Sequence, residues 1–280
     1  MKSKLNSTRL LSGKPLVLAL VIFMISCTKS SITPANSSIK YCKTISWTET
    51  SGSYGSFTGA LINGQYELTS LTYSELGKNP GTINFTYDAS GHLMNQAGLT
   101  VTYNQDVLVN YIVDLSYVSS ATGTDTFTFN TSGQLTNESA VGTNDSGPIT
   151  FSSDFTYDSN GDPVHITGHA TQITNNQLET DTYDITVNYW EDKATLIAYV
   201  PIAAPFSTYF NVFGSLLSKH LINQMSVTLT SSIGSQSEVA TFSPIYLYTY
   251  DANGRVATMK KTVQSPLSSN VFTFTYTGCN

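Results

Sequence analysis

The sequence predicts an all-β domain built from antiparallel hairpins. Segments rich in Thr, aromatic and β-branched residues alternate with the two-residue period of a strand. A unit of aromatic, Thr, aromatic, Asp or Asn, two further residues and Gly recurs along the chain. A lone hairpin is marginally stable in water, so these hairpins must join into one sheet. The four copies of the unit are residues 85–93, 127–135, 155–163 and 248–256.

Each unit ends one strand and starts the next through a tight turn. Its Asp or Asn stands three residues before its Gly, which is the preference of a type I turn. The side-chain oxygen accepts hydrogen bonds from the turn's own N–H groups, and Gly takes the left-handed conformation that makes a bulged hairpin. We therefore predict structural turns at Asp88 with Gly91, Asn130 with Gly133, Asp158 with Gly161, and Asp251 with Gly254.

Calcium binding by these turns is the alternative. The segment from Asp158 to Asp162 matches the start of a calcium loop, but the twelfth loop position is His169 instead of a bidentate Glu. Turn chemistry explains all four units, whereas calcium would explain one. The sequence therefore predicts no metal site.

Residues 1–27 have the pattern of a secretory targeting segment. A basic start precedes a short apolar run, which is too short for a membrane span. The ending Ser26-Cys27 resembles a bacterial lipobox in which Met24 replaces the usual Leu, and an ordinary signal peptide is the alternative. We expect a lipid on Cys27, a flexible polar tether over residues 28–40, and a single β domain over residues 41–280.

The remaining cysteines, Cys42 and Cys279, lie near the two ends of the predicted domain. An exported chain meets an oxidising compartment, and neither cysteine has Cys-x-x-Cys spacing or a neighbouring His. A structural disulfide is therefore favoured over two free thiols. In the chain-entropy model, closing so long a loop stabilises the fold by about 4 to 5 kcal/mol, less any native strain.

The strands follow one another from Tyr41 onward, with one exception. Asn63-Gly64 between apolar runs is the strongest short hairpin signal. Residues 210–222 instead place apolar residues three and four apart, which predicts a short helix against one face or end of the sheet. The alternative for this segment is an exposed amphipathic element that docks on a partner or membrane. Further strands are predicted at 99–103, 108–117, 124–129, 184–189 and 271–276.

The composition limits the partners of the chain. The net charge of −6 and the pI of about 5.1 argue against a nucleic-acid partner, because no basic stripe is present. Charged residues make up only 11% of the chain, which fits an extracytoplasmic protein whose outer faces carry Thr, Ser and Asn. The 17 Tyr and 13 Phe supply the core.

No motif for catalysis or cofactor binding is present, so we expect neither a cofactor nor an enzyme. His165 and His169 on one strand would place their Cα atoms about 13 Å apart, too far for one metal ion. Carboxylates from distant strands could still form a glycosidase pair, and exposed aromatics could stack on sugars. The simpler role for the acidic candidates is that of ordinary loop charges; they are Glu191, Asp192, Asp181 and Asp184. The simpler role for the aromatic candidates is core packing; they are Tyr54, Trp190, Tyr199 and Tyr209.

The Tyr-Asp-x-x-Gly units resemble the YD repeats of Rhs-type proteins, which stack antiparallel hairpins into a continuous sheet. The whole chain is similar to an uncharacterised family of Bacteroidetes lipoproteins with a porin-like β-fold. The shared features are the lipobox, the tether, the Asp-x-x-Gly hairpins and the segment Phe-Gly-x-x-x-Ser-Lys-x-Leu, here residues 213–221. The resemblance implies a large curved antiparallel meander sheet or partial barrel over residues 41–280, with no known activity.

These observations predict a lipid-anchored outer-membrane protein on the periplasmic face or the cell surface. Its function would be non-catalytic binding or assembly, with a glycan or an envelope protein as ligand. A structural scaffold packed on an outer-membrane partner is the main alternative, and a glycan-active enzyme is a further one. An integral outer-membrane barrel is a third alternative, because alternating Thr and aromatic residues also suit a lipid-facing wall.

Overall fold

The computed structural model describes residues 42–62, 65–74, 81–95, 98–104, 107–114, 121–194, 220–264 and 267–279. The predicted signal peptide, the tether and Cys27 lie outside these residues. The first eight strands are β1 Cys42–Glu49, β2 Tyr54–Ile62, β3 Gln65–Ser74, β4 Gly81–Asn84, β5 Leu99–Asn104, β6 Val107–Asp114, β7 Thr122–Phe129 and β8 Leu135–Asn144. The others are β9 Gly147–Tyr157, β10 Pro163–Thr174, β11 Gln177–Ala194, β12 His220–Ile233, β13 Gln236–Phe242, β14 Ile245–Tyr250, β15 Val256–Gln264 and β16 Leu267–Cys279.

All 16 strands belong to one antiparallel sheet. Its order is β4-β3-β2-β1-β16-β15-β14-β12-β11-β10-β9-β8-β7-β6-β5, and β13 pairs with the far half of β12. Nearly every neighbour in this order is also a neighbour in sequence, as expected of a meander of hairpins. The chain termini of the domain meet where β1 pairs with β16.

The four turn units lie at one end of the sheet, which we call the turn end. Strands β4, β7, β9 and β14 run in the same direction, because an odd number of antiparallel neighbours separates each from the next. Each of these strands leads into a turn unit. The start of β1, the start of β12 and the end of β16 lie at the same end. The turn end thus carries Cys42, His220, Cys279 and all four Asp or Asn turns.

The first turn unit lies between the two outermost strands, β4 and β5. A bridge joins Tyr87 to Leu93, and the Met94 N–H donates to the Thr86 carbonyl at 2.8 Å. On the other side, the Leu93 N–H donates to the Tyr103 hydroxyl at 2.9 Å. The sheet therefore curves so that its two outermost strands approach the first turn unit. Among the described residues no ladder joins β4 to β5, so the sheet does not close into a barrel.

One apolar cluster contains buried residues from nearly every part of the sheet, which is why the sheet must curve around it. Phe127, Phe272, Tyr246, Leu108 and Leu221 are each at most 1% exposed. Side chains on one face of a strand recur every second residue, so the opposite face of each strand remains with solvent. The buried members with the largest side chains are Tyr246, Phe127, Phe272, Ile45, Leu108, Leu135 and Leu221.

The all-β antiparallel prediction is confirmed, with one correction. The predicted strands at 99–103, 124–129, 184–189 and 271–276 lie inside β5, β7, β11 and β16. The helix predicted over 210–222 does not extend to its last three residues, which begin β12. There Leu221 and Ile222 pair with β11 and are both buried, beside register shifts that interrupt the regular alternation of the strand. Residues 210–219 lie outside the described residues.

Two further predictions fall partly outside the described residues. Asn63 and Gly64 are not described, but β2 and β3 on either side of them pair as a hairpin. The strand predicted over 108–117 corresponds to β6, and its last three residues are not described. No helix in the described part of the chain is long and apolar enough to span a membrane.

Candidate functional site

The exposed side of β9 to β12 is covered by short polar side chains, and we call it the hydroxyl-rich face. The alternating burial of these strands places Phe151, Ile166, Val187 and Val227 on the opposite side. Cross-strand partners on this face include the Thr150 and Thr171 hydroxyls, 2.7 Å apart. Its members are Ser152, Asp154, Thr156, His165, Thr167, His169, Thr171, Thr182, Asp184, Thr186, Ser226, Thr228 and Thr230.

A histidine and an aspartate lie together on the hydroxyl-rich face. His165 Nε2 lies 3.1 Å from Asp184 Oδ2, and their side chains are 43% and 58% exposed. His169, four residues further along β10, is exposed on the same face. The two histidines therefore share a face, and His165 has Asp184 as its nearest charged partner. This pair adds a hydrogen-bonding group with both donor and acceptor atoms to a surface of hydroxyls.

The turn units have the backbone geometry of the predicted type I turn and left-handed Gly. The Gly91 N–H donates to the Asp88 carbonyl at 3.0 Å, and the φ of Gly91 is 84°. Asp88 Oδ1 accepts from Ser90 N and His92 N at 2.7 and 2.9 Å. The same bonds recur around Asn130, Asp158 and Asp251. One side-chain oxygen of each unit is thus used by its own turn.

These hydrogen bonds stabilise the charged form of the turn carboxylates. The His92 N–H is the main cause of the lowered pKa of Asp88. Burial acts to raise the pKa of Asp251, but hydrogen bonds from Arg255 and the turn N–H groups lower it below the usual value. The Asp251 carboxylate also forms an ion pair with Arg255, with Nη2 to Oδ2 at 2.6 Å.

The residue after each turn Gly differs and gives each unit its own contact. His92 and Gln134 bond back to Asp88 and Asn130. Asp162, which is 1% exposed, instead reaches a residue 58 positions away. Its Oδ2 lies 2.5 Å from His220 Nδ1, and its Oδ1 accepts from the His220 N–H at 3.1 Å. Asp162 therefore anchors the start of β12 to the third turn unit.

A disulfide joins Cys42 to Cys279 where the first and last strands pair, with an S–S distance of 2.06 Å. Arg255 of the fourth turn unit lies against it, with Nη1 2.8 Å from Cys279 Sγ. The Arg255 guanidinium also lies 4.7 Å above the ring of Tyr276. The turn end is therefore held by a covalent bond and by one cation that contacts a carboxylate, an aromatic ring and a sulfur atom.

The other residues considered from the sequence do not converge on one site. Asp181 lies on the buried face of β11, whereas Asp184 lies on the exposed face. Tyr54 and Trp190 are 44% and 38% exposed, on different strands. Tyr199 and Tyr209 lie outside the described residues, as do the side chains of Glu191 and Asp192.

A layer of acidic residues on the buried face, which the sequence analysis missed, forms the second candidate site. We call Asp125, Glu138, Glu179 and Asp181 the acidic layer; they come from β7, β8 and β11. Asp125 and Glu138 are both 0% exposed. Burial raises the pKa of Asp125 well above its usual value. Burial, followed by the nearby Asp125 charge, does the same for Glu138.

Tyr183 crosses the acidic layer and lies over Gly168. A Cβ atom added at Gly168 would lie 2.1 Å from the Tyr183 hydroxyl, so only Gly fits under this ring. The hydroxyl reaches Ser153 Oγ at 2.5 Å, and the ring stacks against Phe151 with centroids 6.0 Å apart. The position of Tyr183 thus depends on a glycine one strand away. Burial raises the pKa of its phenol.

Glu179 and Asp181 lie closer to the far end of the sheet and are better supplied with donors. Glu179 accepts from Gln172 at 2.8 Å, from Thr174 at 2.5 Å and from Ser231 at 3.3 Å. Burial is the main cause of the raised pKa of Asp181, and the Glu179 charge adds to it. The acidic layer therefore contains two acids with hydroxyl or amide partners, Glu179 and Asp181, and the fully buried pair Asp125 and Glu138 at its centre.

Further ionisable side chains on the inner face include Glu67, which is buried, and Lys261, which is half-buried. Burial raises the pKa of Glu67 on β3 to about 7. Burial lowers the pKa of Lys261 on β15 to about 8, against the opposing effect of the Glu49 carboxylate. Glu49 also accepts a hydrogen bond from Asn270 of the neighbouring strand at 2.5 Å. These groups show that polar side chains occur on the buried face beyond the acidic layer.

In the described residues, no group of three or more His, Cys, Asp or Glu side chains is arranged to hold a metal ion. The acidic layer brings together only two carboxyl groups at its centre. Any cation held there would need hydroxyl oxygens as further ligands.

No protein-family model and no curated protein matches the chain. Among solved structures, a porin-like protein from Bacteroides uniformis is 14% identical, with a TM-score of 0.37, over 84% of this chain and 96% of that one. A porin-like protein from Bacteroides vulgatus is 12% identical, with a TM-score of 0.42, over 76% of this chain and 99% of that one. At these scores the similarity is too weak to carry an argument about function.

Proposed function

We propose that this protein is a lipid-anchored protein of the bacterial outer membrane that serves as a non-catalytic binding or assembly module. The hydroxyl-rich face is the observation that carries the proposal. Its Thr and Ser side chains are short, so they lose little conformational entropy when a ligand immobilises them. They also present donors and acceptors together, which suits the hydroxyl groups of a glycan or the polar surface of an envelope protein.

Two features support a location outside the cytoplasm. A disulfide between Cys42 and Cys279 persists only in an oxidising compartment. The sequence before residue 42 has the pattern of a lipoprotein signal with Cys27 as the lipidated residue. A lipid on Cys27 and a tether over 28–40 would hold the sheet close to the membrane, on its periplasmic face or at the cell surface.

The polarity of the hydroxyl-rich face favours a surface in contact with water over a surface in contact with lipid. Lipid-facing strands expose an apolar band, whereas Thr182, Asp184 and Thr186 are consecutive exposed positions of β11. A non-catalytic role is proposed because the carboxyl pair that the described strands bring together, Asp125 with Glu138, is fully buried. A sugar could not reach these two carboxyl groups in the described arrangement.

The binding test uses the native lipoprotein in its own outer membrane, crosslinked and analysed by mass spectrometry, with a glycan screen of the purified full-length chain. The double variant Thr167→Lys, Thr228→Lys places two long cations on the hydroxyl-rich face and should abolish partner capture or glycan binding. Thr275→Lys, on the exposed side of β16, is the matched control and should retain it. Equal binding by both variants would exclude the hydroxyl-rich face as the site.

The scaffold alternative gives a different result in the same experiment. A scaffold packed on one outer-membrane protein should yield a single stoichiometric crosslinked partner and no glycan binding. Anchoring is tested separately with Cys27→Ser, which should abolish incorporation of a labelled fatty acid and release the protein from the membrane fraction. Unchanged membrane attachment in this variant would contradict the lipid anchor.

A further inference from the structure

Apolar side chains are exposed along the rim of the sheet at the turn end. β2 and β11 run towards this end, because each is antiparallel to a strand that starts there. The first turn unit and the end of β14 lie at the same end. Single exposed apolar residues are common on protein surfaces, so a role for this rim depends on what lies next to it. The exposed members, which we call the apolar rim, are Leu61, Met94, Trp190 and Tyr250, at 61%, 46%, 38% and 41% exposure.

The predicted tether joins the domain at this same end. Residues 28–41 connect Cys27, the predicted lipid site, to Cys42 at the start of β1. A flexible tether of this length has an average span of about 20 Å. The far end of the sheet is more distant, because β10 runs towards it from the third turn unit over 12 residues, which is about 40 Å. An anchored chain therefore brings the turn end, and not the far end, against the membrane.

The apolar rim carries side chains that suit the boundary between lipid headgroups and acyl chains. Trp190 and Tyr250 each combine an apolar ring with a polar tip, and such rings are enriched at that boundary. Only β12 separates β11 from β14, so the strands of these two rings lie about 10 Å apart. Leu61 and Met94 add aliphatic side chains further along the rim. The side-chain chemistry and the position of the tether thus point to the same partner.

The carboxylates of the turn end do not prevent this approach, because they already have partners. Asp158 accepts hydrogen bonds from the N–H groups of its own turn. Lys43, beside the tether, adds an exposed cation. The turn end therefore has no strong surplus of either charge, and its contact with a bilayer would be apolar. The other three carboxylates face a His or Arg side chain, in the pairs Asp88–His92, Asp162–His220 and Asp251–Arg255.

We propose that the apolar rim docks on the bilayer surface in the anchored protein, with Trp190 and Tyr250 at the level of the headgroups. The inference deepens the proposed function and rests on its lipid anchor. Binding of a peripheral surface scales with the apolar area that it buries, and four side chains bury little. The tether compensates by raising their effective concentration at the membrane. The strands then extend away from the bilayer, and the hydroxyl-rich face remains in water.

Trp190 is its own reporter, because the other tryptophan, Trp47, is buried. The native lipoprotein is reconstituted in phosphatidylcholine vesicles, with and without bromine on the upper acyl chains, which quenches tryptophan on contact. The emission of Trp190 should shift to shorter wavelength and be quenched by the brominated lipid. Added salt should leave the quenching unchanged, because the contact is apolar. Trp190→Phe gives the background of Trp47, and no quenching of Trp190 in the unmodified lipoprotein would overturn the proposal.

Two double variants with the same chemical change test the location of the contact. Leu61→Glu, Tyr250→Glu places carboxylates on the apolar rim and should abolish the quenching of Trp190. Leu178→Glu, Val239→Glu changes two exposed apolar residues away from the turn end and should keep it. All four positions are exposed, so both variants should fold with similar melting temperatures. Quenching that persists in the rim variant would overturn the proposal.

A tryptophan at the far end provides a second measurement that needs no rim variant. In Trp190→Phe, Leu178→Trp the new ring lies in the hairpin between β10 and β11. It should not be quenched by the brominated lipid. Quenching of this residue would show that the far end meets the bilayer and would overturn the proposal.

Failure of the lipid anchor and failure of the docking give different results. The variant Cys27→Ser, Ser31→Cys has its free thiol in the predicted tether, because Cys42 and Cys279 form the disulfide. Coupling this thiol to a maleimide phospholipid anchors the chain whether or not the cell attaches a lipid to Cys27. Quenching of Trp190 in this sample, with no fatty acid on Cys27 of the native protein, would support the docking and contradict only the native anchor. Absence of quenching in this sample would overturn the docking and leave the anchor unaffected.

Discussion

The carboxylates of the turn end and those of the acidic layer are chemically alike but occupy opposite environments. Asp88 and Asp251 lie in turns, 42% and 25% exposed, and accept hydrogen bonds from N–H groups. Asp125 and Glu138 are 0% exposed and lie beside each other, so each acid faces a second acid instead of a row of N–H groups. Hydrogen bonding lowers the pKa of the first pair, and burial raises that of the second. The turn carboxylates thus stabilise the fold in their ionised form, whereas ionisation of the buried pair destabilises it.

The two groups should therefore affect stability in opposite directions as pH changes. A carboxylate with a lowered folded-state pKa contributes stability above its unfolded pKa and loses it as pH falls. A carboxyl group with a raised folded-state pKa contributes most below its unfolded pKa, and stability then declines as pH rises towards the folded value. Acid should therefore reduce the stability that the turn carboxylates contribute. Neutral or alkaline pH should reduce the stability of the acidic layer.

The largest expected effect comes from removing the covalent bond at the turn end. The double variant Cys42→Ser, Cys279→Ser should lower the free energy of unfolding by about 4 to 5 kcal/mol, less any native strain. The reason is the long loop that the disulfide closes in the unfolded chain. Denaturant unfolding of the variant and of the reduced parent protein should agree, and an unchanged midpoint would contradict the assigned role.

The next effect concerns the buried carboxylate of Asp162 at the turn end. Asp162→Ala should lower the free energy of unfolding by about 2 to 4 kcal/mol, because it removes the buried carboxylate that holds the backbone N–H and the ring of His220. Asp145→Ala, at an exposed turn of the far end, is the control and should change little. Equal losses in the two variants would show that the Asp162–His220 contact is not special. Thermal melting at neutral pH gives the comparison.

The acidic layer should respond in the opposite sense. At neutral pH, Glu138→Gln should raise the free energy of unfolding by about 1 to 3 kcal/mol, since an amide needs no proton to remain neutral when buried. The gain should disappear below the ordinary Glu pKa, where both side chains are neutral. Denaturant titrations from acid to neutral pH measure this slope. A variant that is less stable at every pH would contradict the account of the buried pair.

The smallest effect is expected at an exposed turn. Asp88→Asn keeps the oxygen that accepts from Ser90 and His92, and Asn130 occupies the same position in the second unit. Stability at neutral pH should therefore change little. The loss of stability on acidification should be weaker than in the unmodified chain, because the amide does not titrate. A large loss at neutral pH would show that the Asp88 charge, and not its hydrogen-bond geometry, holds the turn.

The sequence alone predicted the residues that act over short range. Asp88 and Gly91 form their turn with neighbours two to four positions away, so the pattern of the unit contains the whole interaction. The alternation of Asp125 with Phe127 and Phe129 also indicates a buried acid, although this signal was missed. Glu138 could not be placed in this way. A register shift beside Phe129 changes which residues of β8 face inward.

The helical spacing over 210–222 shows the limit of periodicity. Leu221 and Ile222 are adjacent and both buried at the start of β12, next to a register shift in its pairing with β11. An irregular ladder of this kind breaks the two-residue period. The apolar spacing then matches a helix as well as a strand, and the pairing partner decides between them.

The amino-acid sequence by itself determined most of the strands and the four turns, because turn hydrogen bonds and strand alternation are local. The tertiary structure decided which acids are buried together, how Tyr183 lies over Gly168, and which residue Asp162 meets. Those contacts join residues that are distant in sequence, and their geometry depends on bulges and on the curvature of the whole sheet. The acidic layer therefore exists only in the folded protein.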